Sequence, residues 1–492
     1  MKLAVSSAVL ALVPALVAAH ADHADALHAR HHPLDARQAT PSHAASSTTS
    51  TPATGAATSA PTGTGTGTPA ATATPSFTLL ATNPTAVPLS DIVSNQPSSA
   101  TLPLASTAVP GTTPSNIPGA PPLPNAQILL PSNYPALDVP PPIDSDEVKQ
   151  WIQEVQNTGV VIPNFAPTNA GGCPNNTAAV ADTSRCWWTC GGCTRSTDIT
   201  ECPTPLNWGL TYDDGPSFYT SNLLSYLDQV NLKSTFFVVG SRVISFPATL
   251  QTQYLAGHQI AVHTWSHPSL TMLSNEEIIA ELGWSKKVIK DVLGVTPNMM
   301  RPPFGDIDDR VRAISLAMGL TPVMWTRISP LATYDTDDFN IHGGTTTVQQ
   351  VLQNWENILG NATTSKTGFI VLEHDLFEQT VEVATGYILP DALAHNPPFT
   401  IQPVVSCLKQ DMTNAYIETN NNSTNPPAFS AAISGGVVSV TGSAATTTPT
   451  SGGSSGSGSG KSSGVSVHVG SGLAALTTFA GALVGGVLSL GL

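Results

Sequence analysis

The sequence has little charge, and less of that charge is positive than negative. Only 10% of its 492 residues are Asp, Glu, Lys or Arg, and 18 Lys and Arg stand against 33 Asp and Glu. Binding to nucleic acid needs clustered Lys and Arg that contact phosphates. The chain has no such cluster, because its small tract at residues 28–32 is mostly His. We therefore expect no nucleic-acid partner, and the net charge of −15 suits a neutral or cationic ligand better than an anion.

Long apolar runs occur only at the two ends of the sequence. Residues 1–21 carry one basic residue, Lys2, before an apolar run that ends in small residues, which is typical of a secretory signal peptide. Residues 464–492 combine a spacer with an apolar tail, which is typical of a GPI anchor signal with attachment at Ser462 or Ser463. A transmembrane helix is the alternative, since about 20 apolar residues span a bilayer. The lack of a basic flank favours the anchor. We expect a secreted protein that contacts the membrane only through its GPI anchor, at the outer face of the plasma membrane or in the cell wall.

Cysteine is scarce, with six residues in the whole chain. In an oxidising extracellular space an even number indicates disulfides, here three, whose pairing stays open. A zinc site at Cys186, Cys190 and Cys193 is the alternative, but no nearby His completes the usual spacing. The residues predicted to form disulfides are Cys173, Cys186, Cys190, Cys193, Cys202 and Cys407. Four Asn-x-Ser/Thr sequons predict N-glycosylation at Asn175, Asn361, Asn421 and Asn422.

Ser, Thr, Pro, Ala and Gly are concentrated towards the two ends, where the chain buries too little apolar surface to fold. We predict a disordered stalk at residues 22–125 and a Ser/Gly/Thr-rich linker at residues 419–463. The His-rich tract at the start of the stalk could bind a metal, but such tracts are more often solvated or removed.

Residues 126–205 form a cysteine-rich extension with a predicted helix at residues 144–156. Its Trp187–Trp188 pair could stack on sugar rings, but we favour packing against the main domain.

The main domain, residues 206–418, alternates short apolar runs with helix-length segments. This alternation indicates parallel βαβ units of an α/β fold. A (β/α) barrel and an open doubly wound sheet are both compatible with the pattern. In either architecture, functional side chains gather at the carboxyl ends of the strands.

Polar motifs follow several of these predicted strands. Asp213 and Asp214 precede Gly-Pro, which by itself also makes an ordinary turn. His263 and His267 are four residues apart, so both imidazoles can face one ion, although a lone His pair is more often structural. Together with a carboxylate they supply the three protein ligands of an open catalytic metal site. Arg301 is suited to orienting a carboxylate by paired hydrogen bonds, although its two-proline loop could simply end a strand. His374, at the tip of a buried strand, is suited to act as a general acid.

The order of the segments TYDDGP, STFFVVG, HTWSHP, RPPF, DTDDF and VLEHD resembles that of the polysaccharide deacetylase family, the NodB homology domain of carbohydrate esterase family 4. Within that family the sequence is similar to the GPI-anchored fungal chitin deacetylases. The resemblance implies a distorted (β/α) barrel. It also implies that Asp213 is the catalytic base and that Arg301 orients it. Asp214, His263 and His267 would be the ligands of Zn²⁺, with Co²⁺ as a possible substitute.

The resemblance also implies roles for residues around the leaving group. The backbone N–H of Phe304 would help to stabilise the oxyanion, and Leu372 would line the acetate pocket. His374 would protonate the leaving amine, paired with Asp338. Phe339 stands where the family has Trp, and an insertion precedes this motif. Asp335 or Asp337 could therefore take the part of Asp338.

The function implied is hydrolysis of N-acetyl groups from N-acetylglucosamine units of chitin or chitin oligomers by a monomeric enzyme, giving chitosan and acetate. Two alternatives remain open at this point. The substrate could be an O-acetyl ester of another wall polysaccharide such as xylan. The chain could also be a non-catalytic wall mannoprotein or chitin-binding protein, although all the expected ligands and acid/base residues are present.

Overall fold

Ten short strands in the described part of the chain form the framework that positions the functional residues. The computed structural model describes residues 77–105, 108–329 and 332–420, all of which belong to the first of two compact units, residues 1–439. The strands are β1 (Asn207–Gly209), β2 (Thr211–Asp213), β3 (Thr235–Val238), β4 (Gln259–Val262), β5 (Met299–Met300), β6 (Thr321–Pro322), β7 (Arg327–Ser329), β8 (Ala332–Thr333), β9 (Phe369–Ile370) and β10 (Thr400–Gln402). They form a five-stranded parallel sheet, β2-β3-β4-β5-β6, a three-stranded parallel sheet, β10-β1-β9, and an antiparallel β7-β8 hairpin.

The two parallel sheets join into one irregular barrel. On one side, β1 and β2 follow each other directly and are separated only by Leu210. On the other side, the backbone N–H of Thr326 donates to the carbonyl of Ile370 at 3.0 Å, and the N–H of Leu372 donates to the carbonyl of Tyr334 at 2.8 Å. These bonds place the chain after β6 alongside β9 and close the ring. The expectation of a distorted (β/α) barrel is confirmed, and the open sheet is excluded.

Helices surround the barrel and cover its strands. They are α1 (Asp146–Asn157), α2 (Thr177–Ala181), α3 (Thr220–Gln229), α4 (Gly240–Ser245), α5 (Pro247–Leu255), α6 (Asn275–Leu293), α7 (Asp309–Ala317), α8 (Val348–Ala362), α9 (Glu378–Val383), α10 (Leu389–Ala394) and α11 (Val404–Cys407), with a π-helical turn at Ala384–Ile388 joining α9 to α10. The longest, α6, begins with a capping box between Ser274 and Glu277 and ends at Gly294, whose φ of 81° stops the helix. No helix in the part of the chain described here is long and apolar enough to cross a membrane.

Residues 77–105 and 108–125 pack on the barrel, so the prediction of a disordered stalk is wrong for this stretch. Ile92, Ile117 and Leu123 are each at most 2% exposed in the same hydrophobic core as the strands. The backbone N–H of Asn83 donates to the carbonyl of Gly386 at 2.8 Å. A few well-spaced apolar side chains are enough to dock this extended segment, although its average composition is that of a linker. The earlier part of the predicted stalk, the signal peptide, Ser462, Ser463, Asn421 and Asn422 lie outside the described residues.

The cysteine-rich extension is held together by disulfides and packs against the barrel. Its cysteines pair as Cys173–Cys190 and Cys186–Cys193, while Cys202 pairs with Cys407 at the end of α11. The prediction of three disulfides is therefore confirmed, and no thiol is left for the alternative zinc site. Trp187 and Trp188 are 5% and 2% exposed, and the edge of Trp188 meets Trp325 at 4.5 Å between ring centroids. The packing role favoured for the tryptophan pair is confirmed.

Candidate active site

Asp213 ends β2 and forms a buried ion pair with Arg301, which follows β5. Nη1 of Arg301 donates to Oδ1 of Asp213 at 2.8 Å and to the hydroxyl of Thr211 at 2.9 Å. The guanidinium carbon lies 4.2 Å from the ring centroid of Phe237, so the cation rests on an aromatic face. Burial lowers the pKa of Arg301, and its attraction to Asp213 opposes that effect. The arrangement fixes the direction in which the Asp213 carboxylate points.

Asp214 turns away from its neighbour because its backbone adopts a left-handed conformation, with φ of 77°. Its Oδ1 lies 3.2 Å from Nε2 of His263 and 3.0 Å from Nε2 of His267, and the two Nε2 atoms are 3.2 Å apart. The Nδ1 atom of His263 lies 2.7 Å from the carbonyl oxygen of Arg301, a contact that directs Nε2 at Asp214. Three ligand atoms, one from Asp214 after β2 and two from the segment that follows β4, therefore converge on one point.

The donor set fits a divalent metal ion. Oδ1 of Asp214 is buried and receives no hydrogen bond from any of the described residues, which is the environment expected of a ligand atom. Two imidazole nitrogens and one carboxylate oxygen match the three protein ligands of catalytic zinc sites, which keep a further position open. Burial raises the pKa of Asp214, but His267 and His263 outweigh it and hold the pKa well below its usual range. Burial lowers the pKa of His267, which favours the neutral imidazole that a metal requires.

His374 follows β9 and is bound by Asp338 through two contacts. Oδ1 of Asp338 lies 2.7 Å from Nδ1 of the imidazole, and Oδ2 accepts the backbone N–H of His374 at 2.9 Å. Burial lowers the pKa of His374, but the Asp338 carboxylate outweighs it and raises the pKa to about 10. Oδ1 of Asp335 instead accepts the backbone N–H of Asp337 at 2.9 Å. The structure thus places Asp338, rather than Asp335 or Asp337, against an imidazolium that keeps its proton at neutral pH.

Asp213, the three metal-ligand candidates and His374 line one cavity of about 500 Å³, a volume within the range of small-molecule sites. Phe304, Leu372 and Phe339 also line it, so the structure brings together all the residues for which sequence analysis predicted a substrate role. Phe304 has a φ of 60°, and its ring meets His267 at 4.8 Å between centroids. Phe339 meets the ring of His374 at 5.2 Å. The apolar side chains and the ionisable groups therefore surround the same space.

Sequence analysis missed two kinds of residue at this site. Thr211 and Trp325 contact the Arg301 guanidinium, and the pairing of β5 with β6 brings Trp325 near it. Asp306 lines the cavity and accepts the indole N–H of Trp187 at 2.7 Å and the backbone N–H of Thr271 at 2.9 Å. Its position directly after the RPPFG segment was the one signal that could have identified it. The predicted glycosylation sites Asn175 and Asn361 are both exposed, and Asn175 directly follows Pro174, which lines the cavity.

This chain is similar in sequence to known deacetylases. The family model described as polysaccharide deacetylase matches residues 201–323. Chitin deacetylase 1 of Cryptococcus neoformans var. grubii is 53% identical over 340 residues, which cover 68% of this chain and 71% of that protein. Chitin deacetylase of Amylomyces rouxii is 40% identical over 238 residues, covering 43% of this chain and 54% of the relative, so the chain spans about half of that protein's length. The solved chitin deacetylase from the fungal pathogen Colletotrichum lindemuthianum has a TM-score of 0.40 and 25% identity, covering 46% of this chain and 97% of that one. On the match to the Cryptococcus relative, this chain belongs to the polysaccharide deacetylase family.

Proposed function

We propose that this chain is a metal-dependent hydrolase that removes N-acetyl groups from N-acetylglucosamine units of chitin. The observation that carries the proposal is the convergence of an oriented carboxylate, a three-ligand metal site and a protonated imidazole on one cavity. Amide hydrolysis needs these three elements, namely activation of water, stabilisation of the oxyanion and protonation of a poor leaving group. The 53% identity to a protein named chitin deacetylase 1 supports chitin as the substrate.

Asp213 has the role of base in this reaction. Its carboxylate, held by Arg301 at 2.8 Å, accepts a proton from the attacking water as the new carbon–oxygen bond forms. A Zn²⁺ or Co²⁺ ion held by Asp214, His263 and His267 would supply Lewis-acid polarisation of the acetyl carbonyl and lower the pKa of bound water. The backbone N–H of Phe304 would donate to the developing oxyanion.

His374 completes the reaction as the acid. Its imidazolium donates a proton to the nitrogen as the carbon–nitrogen bond breaks, so that acetate and a free amine are released. Asp338, 2.7 Å from Nδ1, holds the ring orientation and stabilises the cation before transfer. Leu372 and Phe339 provide the apolar surface that would surround the acetyl methyl group.

The test is acetate release from chitin hexamer by the secreted chain, with zinc and again after chelation. We expect release that needs metal and that Asp213→Asn abolishes. Asp228→Asn, which changes a carboxylate with a 78% exposed side chain, is the matched control and should leave the rate unchanged. No acetate from chitin, but release from acetylated xylan, would replace the substrate with an O-acetyl ester. Absence of release from both with metal bound would contradict a deacetylase, and failure to bind metal would favour the non-catalytic wall protein.

We also propose that the protein is secreted, N-glycosylated and held at the cell surface by a GPI anchor at Ser462 or Ser463, with residues 464–492 removed. The support is the apolar run at each end of the sequence and the exposure of Asn175 and Asn361. An anchored enzyme would meet chitin as the polymer emerges at the wall. Release of the protein from intact cells by phosphatidylinositol-specific phospholipase C tests the anchor. Retention after that treatment, together with loss of retention when the tail is deleted, would indicate a transmembrane tail instead.

A further inference from the structure

The cysteine-rich extension forms one wall of the active-site cavity. A loop at residues 168–174, which we call the rim loop, lines the cavity together with Trp187 and Thr189. These residues all precede residue 201, where the match to the family model begins. The same cavity contains Asp213 and His374. A polymer whose reacting unit lies between those two side chains must therefore pass the rim loop on one side.

The rim loop has a fixed backbone. The N–H of Thr168 donates to the carbonyl of Thr271 at 2.9 Å, and the hydroxyls of the two residues are 2.7 Å apart. The side chain of Asn176 accepts the N–H of Asn169 at 2.7 Å and donates to its carbonyl at 2.8 Å. The disulfide Cys173–Cys190 closes the end of the loop. A ligand that contacts the loop therefore meets a preorganised surface, which lowers the entropy cost of binding.

The rim loop presents a polar group and an apolar group to the cavity. Asn169 is exposed, and its carboxamide makes no hydrogen bond to any residue in the described ranges, whereas its backbone is fully used. Pro174 is exposed beside it, and Met272, which is 36% exposed, lines the same cavity from the barrel side. A sugar ring offers a matching pair of surfaces, because its C–H groups pack on apolar side chains and its hydroxyl or acetamido groups pair with an amide.

We propose that the rim loop is a binding subsite for the N-acetylglucosamine unit next to the one that is deacetylated, with the Asn169 carboxamide hydrogen-bonding that neighbouring unit. The proposal rests on the proposed function, because it takes the polymer to be chitin. Its consequence is a preference for oligomers long enough to cover both the catalytic groups and the rim loop. The extension, which lies before the matched part of the family domain, thus contributes to the length preference of the enzyme.

Binding and turnover of chitin oligomers test the inference. In the otherwise unchanged chain, Asn169→Ala should raise KM for chitin hexamer about fivefold, the effect of one lost hydrogen bond, and leave kcat unchanged. In an Asp213→Asn background, calorimetric titration with hexamer should show the same loss of affinity without turnover. Asn164→Ala removes an exposed carboxamide from the same extension, outside the cavity lining, and should change neither value.

The outcomes separate the two proposals. If the unchanged chain releases acetate but Asn169→Ala binds hexamer as tightly, the subsite is overturned and the deacetylase activity stands. An equal loss of affinity in Asn164→Ala would also overturn the subsite. If hexamer binds, Asn169→Ala weakens binding and no acetate is released by the metal-loaded chain, the sugar site stands and the proposed reaction fails.

Discussion

Replacing Asp338 with Asn should move the alkaline limit of activity, because Asp338 is the carboxylate that keeps His374 protonated. Burial alone would lower the pKa of His374, yet the contact of 2.7 Å with Asp338 helps to raise it to about 10. Loss of one adjacent charge typically changes a pKa by 1–3 units, so we expect a fall of about 2, equivalent to about 2.7 kcal/mol. The reaction needs the His374 imidazolium, so the lower pKa of His374 should appear as a loss of activity at alkaline pH.

The size of this pKa change can be measured from the rate of acetate release between about pH 6 and pH 10. At about pH 9, roughly nine-tenths of His374 stays protonated in the unchanged chain, whereas the variant would keep about one-tenth. The rate of Asp338→Asn should therefore drop about tenfold between about pH 7 and pH 9, beyond any loss that is independent of pH. The unchanged chain should lose little activity over that interval.

Asp335→Asn is the matched control for this experiment. Burial raises the pKa of Asp335 to about 7, and its Oδ1 atom binds the backbone of Asp337. In the described part of the chain, the Asp335 carboxylate makes no hydrogen bond to the His374 ring, whose Nδ1 contacts Asp338. We expect the alkaline limb to stay in place in Asp335→Asn. An unchanged limb in Asp338→Asn, or an equal shift in Asp335→Asn, would refute the assignment of the acid's partner.

Three further predictions concern the folded state. Arg301→Met leaves the Asp213 carboxylate buried without its ion-pair partner, so the unfolding free energy measured in urea should fall by about 3–5 kcal/mol. A fall of less than about 1 kcal/mol would contradict a buried ion pair at this position. Burial raises the pKa of Glu281 to about 7, so its stabilising contribution is full below its usual value of 4.5 and is lost as the pH rises through 7. The unfolding free energy should therefore fall between about pH 5 and pH 8, and in Glu281→Gln this fall should be smaller by up to about 3 kcal/mol. If the variant loses as much unfolding free energy over this pH range as the unchanged chain, the prediction is wrong. Cys202→Ala/Cys407→Ala opens a loop of 205 residues and should cost about 5 kcal/mol on the chain-entropy account, measured by calorimetry, whereas an unchanged Tm would exclude it.

The chemistry of the site could be predicted because it lies at strand ends. Asp213, His263 and His374 each stand at or just after a short apolar run, and parallel strands bring such positions to one edge of the barrel. The resemblance favours Asp338 as the partner of His374, but the sequence leaves Asp335 and Asp337 open as alternatives. The choice depends on Asp337, whose φ of 64° redirects the chain within the DTDDF segment. The sequence pattern does not report that local conformation.

Other elements of the fold could not be predicted, because the sequence patterns that indicate helices and strands are weak in short segments. Helix α5 buries polar side chains such as Gln251 and Thr252, so it lacks the apolar stripe that indicates a helix. Strand β5 has only two residues, Met299 and Met300, which are too few to show the alternating pattern that indicates a strand. The packed segment before residue 126 has the composition of a linker, and its few apolar side chains become informative only when the barrel surface is known.

The disulfide between Cys202 and Cys407 also determines how the molecule carries mechanical load. These residues bracket the barrel, with a sequence separation of 205. A pull applied between a point before Cys202 and a point after Cys407 passes directly through the sulfur–sulfur bond, because everything between them is a covalent side loop. The strands that hold Asp213, His263 and His374 therefore bear no tension under such a pull. A pull on the two ends of the chain would therefore leave the catalytic geometry unstrained.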